Sequence, residues 1–269
     1  MLLSANVDLI KAEYVASLGY DAIDVGLCRV IYNNDPYPHN PLLDSDDYEK
    51  ELDRYKEICE RVGLKILTSH IPYRYKYDVP TSENYEYYYN MTCRALKASE
   101  YLGAEWAVVH MKSVADTVSY VKKLLKDSGV TRIGIALENM ADRPIGDLIE
   151  AHDILEREGV RVGVCFDTGH ANVKKFYDID VAEAILKLGK RIKMLHVHDN
   201  NRASDMHKAP FMGTVPWKKV MTALKEAGYE GEFNFELQPE KVPHAASREL
   251  YEQYSVEIGK YLIELFDKA

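Results

Sequence analysis

Apolar runs recur along the chain, each a few residues after a glycine: Gly19 before DAIDVGL, Gly63 before LKILTSH, Gly103 before EWAVVH, Gly129 before TRIGIALEN, Gly159 before RVGVCFD, Gly189 before KRIKMLHVHD and Gly228 before EGEFNFEL. The runs are continuous rather than alternating, which predicts parallel strands covered on both faces. Between them lie segments of helical periodicity. Residues 46–62 (DDYEKELDRYKEICERV) place Leu52, Tyr55, Ile58, Cys59 and Val62 on one stripe, with acidic residues at the start. Each glycine stands where a helix C-terminal cap takes a left-handed residue. A first strand at about Leu2 to Ala5 and a last helix across about Ala245 to Phe266 complete eight strand–helix units. This predicts an α/β fold, a (β/α)8 TIM barrel, as a single domain over residues 1–269. The open doubly wound alternative lacks support, because neither a G-x-G-x-x-G turn nor a Gly-rich phosphate loop occurs. The tyrosine-rich stretch Tyr73 to Tyr89 (YRYKYDVPTSENYEYYY) reads as a long active-site loop leading into a helix.

Composition narrows the partners. Lys and Arg number 34 against 43 Asp and Glu, a formal charge of −9, which offers no net attraction for nucleic acid or an anionic membrane. No apolar run approaches the ~20 residues that span a bilayer. The N-terminal MLLSANVDLIKAEY lacks the basic and apolar regions of a leader, so the expected location is cytoplasmic. Cys28, Cys59, Cys93 and Cys165 are widely spaced with no C-x-x-C pair, and are expected to be reduced thiols rather than a disulfide framework or a thiolate zinc site.

In a barrel of this kind, chemistry belongs at the C-terminal ends of the strands. Those ends carry Ser69-His70, His110, Glu138-Asn139, Asp167 with His170 three residues on, His196-Val197-His198-Asp199, and Glu236. A single histidine at a strand end is more often a hydrogen-bonded structural residue than a ligand. Here six consecutive strands deliver His, Asp or Glu to one rim, and burying such groups together is costly unless a cation offsets them. Nitrogen and oxygen donors without thiolates suit a divalent Zn, Mn, Fe or Co in an open, catalytic site. His196 and His198 share strand parity; the residue nearer the strand end, His198, is the expected ligand, with His196 as packing or support. Lys112, Arg74, Arg202 and Lys208 lie in loops after strands and could receive a phosphate. Trp217 is expected to pack at a helix start.

The runs GVCFDTGHAN (163–172), HVHDNN (196–201), DMHKAPFMGTVPW (205–217) and FNFELQP (233–239) resemble the xylose-isomerase-like TIM-barrel superfamily. That superfamily holds sugar and sugar-phosphate isomerases and epimerases and the class II AP endonucleases. The resemblance implies one shared metal held by Glu138, Asp167, His198 and Glu236. It also implies that Glu138 and Glu236 act as acid and base on opposite faces of a ketose, with the metal stabilising an enediolate. His170 would hydrogen-bond a substrate oxygen, and His70, Tyr73, Lys112 and Arg202 are further expected substrate contacts. The endonuclease members use three zinc ions, with additional ligands that match His70, His110, His170, Asp205 and His207. RYKYD after Tyr73, Met-Lys after His110, ANVKKFYD after His170, and Phe211 and Met212 in the Asp-x-His loop depart from the nuclease or usual loop patterns. The expected function is therefore a divalent-metal-dependent sugar or sugar-phosphate isomerase or epimerase, with one to three ions and a small carbohydrate substrate. A zinc-dependent AP endonuclease is the alternative. Barrels of this kind often pair, which leaves a homo-oligomer open.

Overall fold

The structure is a computed structural model that describes residues 1–27, 40, 42–72, 84–173 and 179–269. Eight strands carry the apolar runs: β1 Leu3–Val7, β2 Ala22–Gly26, β3 Lys65–His70, β4 Trp106–His110, β5 Gly134–Glu138, β6 Val162–Asp167, β7 Ile192–His196 and β8 Phe233–Phe235. They form one parallel sheet in the order β7-β6-β5-β4-β3-β2-β1-β8. Its edges meet where the Val197 amide donates to the Asn234 carbonyl at 2.7 Å, so the sheet curls into the TIM barrel that the glycine-punctuated pattern predicts.

The helices are α1 Ala12–Leu18, α2 Tyr48–Val62, α3 Tyr85–Leu102, α4 Val114–Ser128, α5 Ile145–Arg157, α6 Thr168–Asn172, α7 Val181–Leu188, α8 Trp217–Glu226 and α9 Ala245–Asp267. The helix expected over 46–62 is α2, two residues shorter at its start. The last helix and first strand fall within two residues of their expected ends. All seven punctuating glycines have positive φ, from 55° at Gly189 to 100° at Gly19. At Gly63 (φ 73°) the left-handed turn lets the next amide, Leu64, bond back to the Cys59 carbonyl at 2.9 Å, a conformation that costs any residue with a Cβ.

Most of the core lies between sheet and helices, with Ile23, Leu52, Leu96, Leu124, Ile135 and Leu148 fully buried. A second, smaller cluster of Val108, Ala136, Cys165 and Met194 fills the barrel interior. Two residues further along the same four strands stand His110, Glu138, Asp167 and His196. Strand parity therefore stacks these four polar side chains as the next layer above the apolar one, at the mouth of the barrel. Two register irregularities, at Ile23/Asp24 and Val164/Cys165, lie directly below that layer. Cys59 and Cys165 are buried free thiols and Cys93 is a partly buried one; Cys28 lies outside the described residues. Among the described residues no helix is long and apolar enough to cross a membrane.

Candidate active site

The polar layer is a set of converging donor atoms. Glu138 Oε1 lies 2.9 Å from His196 Nδ1, and Glu236 Oε2 lies 3.3 Å from that same nitrogen. Glu138, Asp167, His196 and Glu236 each present one ligand atom, all within 4.8 Å of one another. On the β3–β4 side, His110 Nε2 comes to 2.9 Å and His70 Nε2 to 3.6 Å of Glu138 Oε2, and the two imidazole nitrogens face each other at 3.1 Å. Further out, His207 Nε2 meets Asp205 Oδ2 at 2.9 Å, His170 Nε2 approaches the same oxygen at 3.4 Å, and His198 Nε2 lies 3.0 Å from Asp167. His198, Asp205 and His207 form a second group with metal-ligand spacing.

The imidazoles are oriented from behind. His70 Nδ1 donates to the Ile71 carbonyl, His170 Nδ1 to that of Asn139 and His207 Nδ1 to that of Glu236, each at 2.9 Å. In His196 the partner is a carboxylate: Nε2 faces Asp24 Oδ2 at 3.3 Å, and that oxygen also accepts from Asn6 (2.6 Å) and Asn234 (3.2 Å). One ring nitrogen is thus held by an outer acceptor and the other faces the site, the orientation that metal-ligating histidines take. Asp167 is fixed as well, because its Oδ1 caps α6 by accepting from the His170 amide at 2.7 Å.

Charge in the site is held by mutual compensation. Burial alone would raise the pKa of Glu138, yet the adjacent His110 and His196 rings hold it well below the usual carboxylate range. Burial opposes protonation of His196, but its acidic neighbours, Glu236 and Glu138 among them, push it well above the ordinary histidine value. His207, also opposed by burial, is pushed up to about 9 by Asp205 and Glu236. His110 is lowered, burial being the largest cause. Glu138 Oε2 is buried and accepts no hydrogen bond of good geometry even though His110 Nε2 is close. Carboxylate oxygens and imidazole nitrogens that converge in this way, with Glu138 Oε2 left without a partner, fit a divalent cation of the hard-to-borderline kind, and the donor set holds no thiolate within the quartet.

Most residues singled out in the sequence come together here, with one difference in placement. The sequence reading set His198 in the innermost quartet and His196 behind it; the geometry puts His196 with Glu138, Asp167 and Glu236, and His198 with Asp205 and His207. The reason is the end of β7. His196 is its last residue, one level above Met194, whereas His198 lies beyond the Val197–Phe235 bridge. The His198 ring packs against Gly169, where a Cβ would come within 1.8 Å of it.

A cavity of about 680 Å³ opens over the quartet, lined by Glu138, Glu236, His110, His170, Asp205 and His207 and, on its walls, by Lys112, Arg143, Lys241 and Asp142. Arg202 and Lys208 are not among the lining residues. Arg202 takes φ 71° with its amide held by Asn200 Oδ1, and Lys208 pairs its backbone with Asp199. Tyr73 and Arg74 lie outside the described residues. Trp217 begins α8, buried, and its indole N–H donates to Asp199 Oδ2 at 2.9 Å, so it packs as expected. Sequence reasoning missed Asp24, whose only signal was a lone acid inside the apolar run AIDVG. It also missed Arg143 and Lys241.

A parallel eight-stranded barrel with carboxylates and imidazoles gathered at the strand ends defines a TIM barrel with a candidate metal site at its mouth. Residues 12–254 match the family model described as the xylose isomerase-like TIM barrel, and the chain belongs to that family. It is similar to a D-psicose 3-epimerase of Enterocloster bolteae, 32% identical over 83 residues that cover 30% of this chain and 25% of that protein. It is also similar to a probable endonuclease 4 of Carboxydothermus hydrogenoformans, 27% identical over 209 residues, covering 63% of this chain and 74% of that one. Matches to two uncharacterised curated relatives span 33% and 41% of those proteins' lengths. Among solved structures, a D-tagatose 3-epimerase-like protein superposes with a TM-score of 0.73 at 22% identity, covering 100% of this chain and 99% of that one. The IOLI protein, solved with a zinc atom, gives 0.69 at 16% identity over 100% and 99%. At these identities the structural likeness establishes the fold.

Proposed function

We propose that the chain is a divalent-metal-dependent isomerase or epimerase of a sugar or sugar derivative, moving a proton at a carbon next to a carbonyl. The observation that carries this reading is the pair Glu138 and Glu236, which both approach His196 Nδ1, at 2.9 and 3.3 Å, and both line one cavity. A divalent ion held by Glu138, Asp167, His196 and Glu236 would supply Lewis-acid polarisation of a bound carbonyl and stabilise the charge that develops on its oxygen. The remaining work belongs to the chain. One glutamate takes the C–H proton and the other returns a proton to the opposite face, or to the neighbouring carbon. His170, held by the Asn139 carbonyl, presents Nε2 to the cavity and can donate to a substrate hydroxyl. The epimerase relatives support this chemistry.

The test is exchange of substrate C–H for deuterium in heavy water, with a panel of ketoses and ketose phosphates and protein loaded with Mn²⁺, Co²⁺ or Zn²⁺. Exchange that stops in Glu138→Gln and Glu236→Gln supports the reading; metal-loaded protein that exchanges none of the panel contradicts it. A second reading, cleavage of DNA at abasic sites, is favoured by the extra groups His70–His110–Glu138 and His198–Asp205–His207, which could hold further ions. The formal charge of −9 weighs against a polyanionic substrate. Incision of an abasic-site duplex by zinc-loaded protein would establish it.

A further inference from the structure

The cavity is electrically two-sided. Its floor gathers the carboxylates of Glu138, Asp167, Asp205 and Glu236 among the imidazoles that compensate them, the groups placed to hold an ion and the reacting end of a substrate. Its walls carry Lys112 from the loop after β4, Arg143 from the loop after β5 and Lys241 from the turn after β8. Asp142 is the acid nearest Arg143, with Oδ1 3.9 Å from Nε, too far for a hydrogen bond. That Nε is itself buried and lacks a hydrogen-bond partner among the described residues. Lys241 has its backbone amide tied to the Gln238 carbonyl and its ammonium in no ion pair with a described residue. Three loops that converge on a catalytic cavity and each contribute a cation make a receptor for an anion at the end of the substrate away from the quartet.

We propose that the substrate is an anionic sugar, carrying a phosphate monoester or a carboxylate distant from its carbonyl, and that Lys112, Arg143 and Lys241 receive that group. This deepens the isomerase reading and rests on it for the identity of the reacting end. The volume, about 680 Å³, has room for a small chelating sugar with a charged tail. The position of the cations also separates this proposal from simple balancing of the floor acids. Balancing charges would affect neutral and anionic sugars alike, whereas a receptor discriminates between them.

The experiment uses Mn²⁺-loaded protein and matched probes: D-ribulose with D-ribulose 5-phosphate, and D-fructose with D-fructuronate. Binding is read by calorimetry and exchange by deuterium uptake. One anionic member is expected to bind at least about tenfold tighter than its neutral counterpart, and which pair shows the preference distinguishes phosphate from carboxylate. Arg143→Met with Lys241→Met should remove that preference while changing neutral-sugar binding less than about twofold, and Lys241→Arg should retain it. Equal binding of the neutral and anionic members of both pairs, or variants that weaken both members equally, would overturn the proposal. If the anions bind through Arg143 and Lys241 but no probe exchanges a proton, the isomerase reading fails and the anion receptor stands.

Discussion

The two donor clusters at the mouth of the barrel are built on different foundations. Glu138, Asp167 and His196 are the last residues of β5, β6 and β7, and Glu236 directly follows β8, so the inner quartet inherits the rigidity of the sheet. Asp205 and His207 instead hang on the connection between β7 and α8. That loop is pinned mainly through Asp199, whose carboxylate accepts from the Val215 amide at 3.0 Å and the Trp217 indole at 2.9 Å. Asp167 and His196 are fully buried, while the Asp205 side chain remains 33% exposed. A site held by strand ends is preorganised for one tightly bound ion; a site held partly by a loop can accept a second at greater cost in ordering. The comparison bears on function, because one ion suits proton transfer between two glutamates and several ions suit phosphodiester chemistry.

The largest expected effect comes from Glu138→Gln or Glu236→Gln, each of which should cut deuterium exchange by about 10²–10⁴-fold with the circular dichroism of the fold unchanged. Full activity in either variant would remove the acid–base assignment. His196→Ala should weaken the tight ion more than His198→Ala does, measured by competition with a chelator. The reverse order would show that the loop cluster is the primary one. Asp24→Asn tests whether the inner quartet depends on its orienting carboxylate: metal affinity should fall about 10–100-fold, with the metal-free protein still folded. Gly169→Ala drives a Cβ into the His198 ring, so stability should drop by about 1–3 kcal/mol and the outer cluster should suffer more than the inner one.

The smallest effect is on pH dependence. His196 and His170 have pKa values raised well above the ordinary histidine value by neighbouring carboxylates, against the pull of burial. In the metal-free protein their protonated forms are favoured, and an ion must displace those protons. Affinity should therefore rise as pH rises. Calorimetry in two buffers of different ionisation enthalpy would read the released protons, and an affinity flat with pH would contradict the assignment.

Much of this was legible in the residues. Glycines at helix ends and continuous apolar runs give the barrel, because a left-handed cap and a doubly covered strand each impose a local pattern on the chain. The rim residues followed from the rule that chemistry sits at strand ends. The placement of His196 against His198 was not legible, since LHVHDN does not show where β7 stops pairing; β7 ends at His196, and His198 lies beyond the Val197–Phe235 bridge. Asp24 hid because a strand interior is expected to be apolar, and its partner His196 is 172 residues away in sequence. Arg143 and Lys241 sit in turns, where side-chain direction has no period to read.

The most direct test of the central claim is metal content per chain, measured by elemental analysis on protein purified without chelator or added metal and repeated on His196→Ala. The account predicts about one tightly held divalent ion in the parent chain and loss of most of it in the variant. No metal in the parent chain, with none taken up on addition, would contradict it.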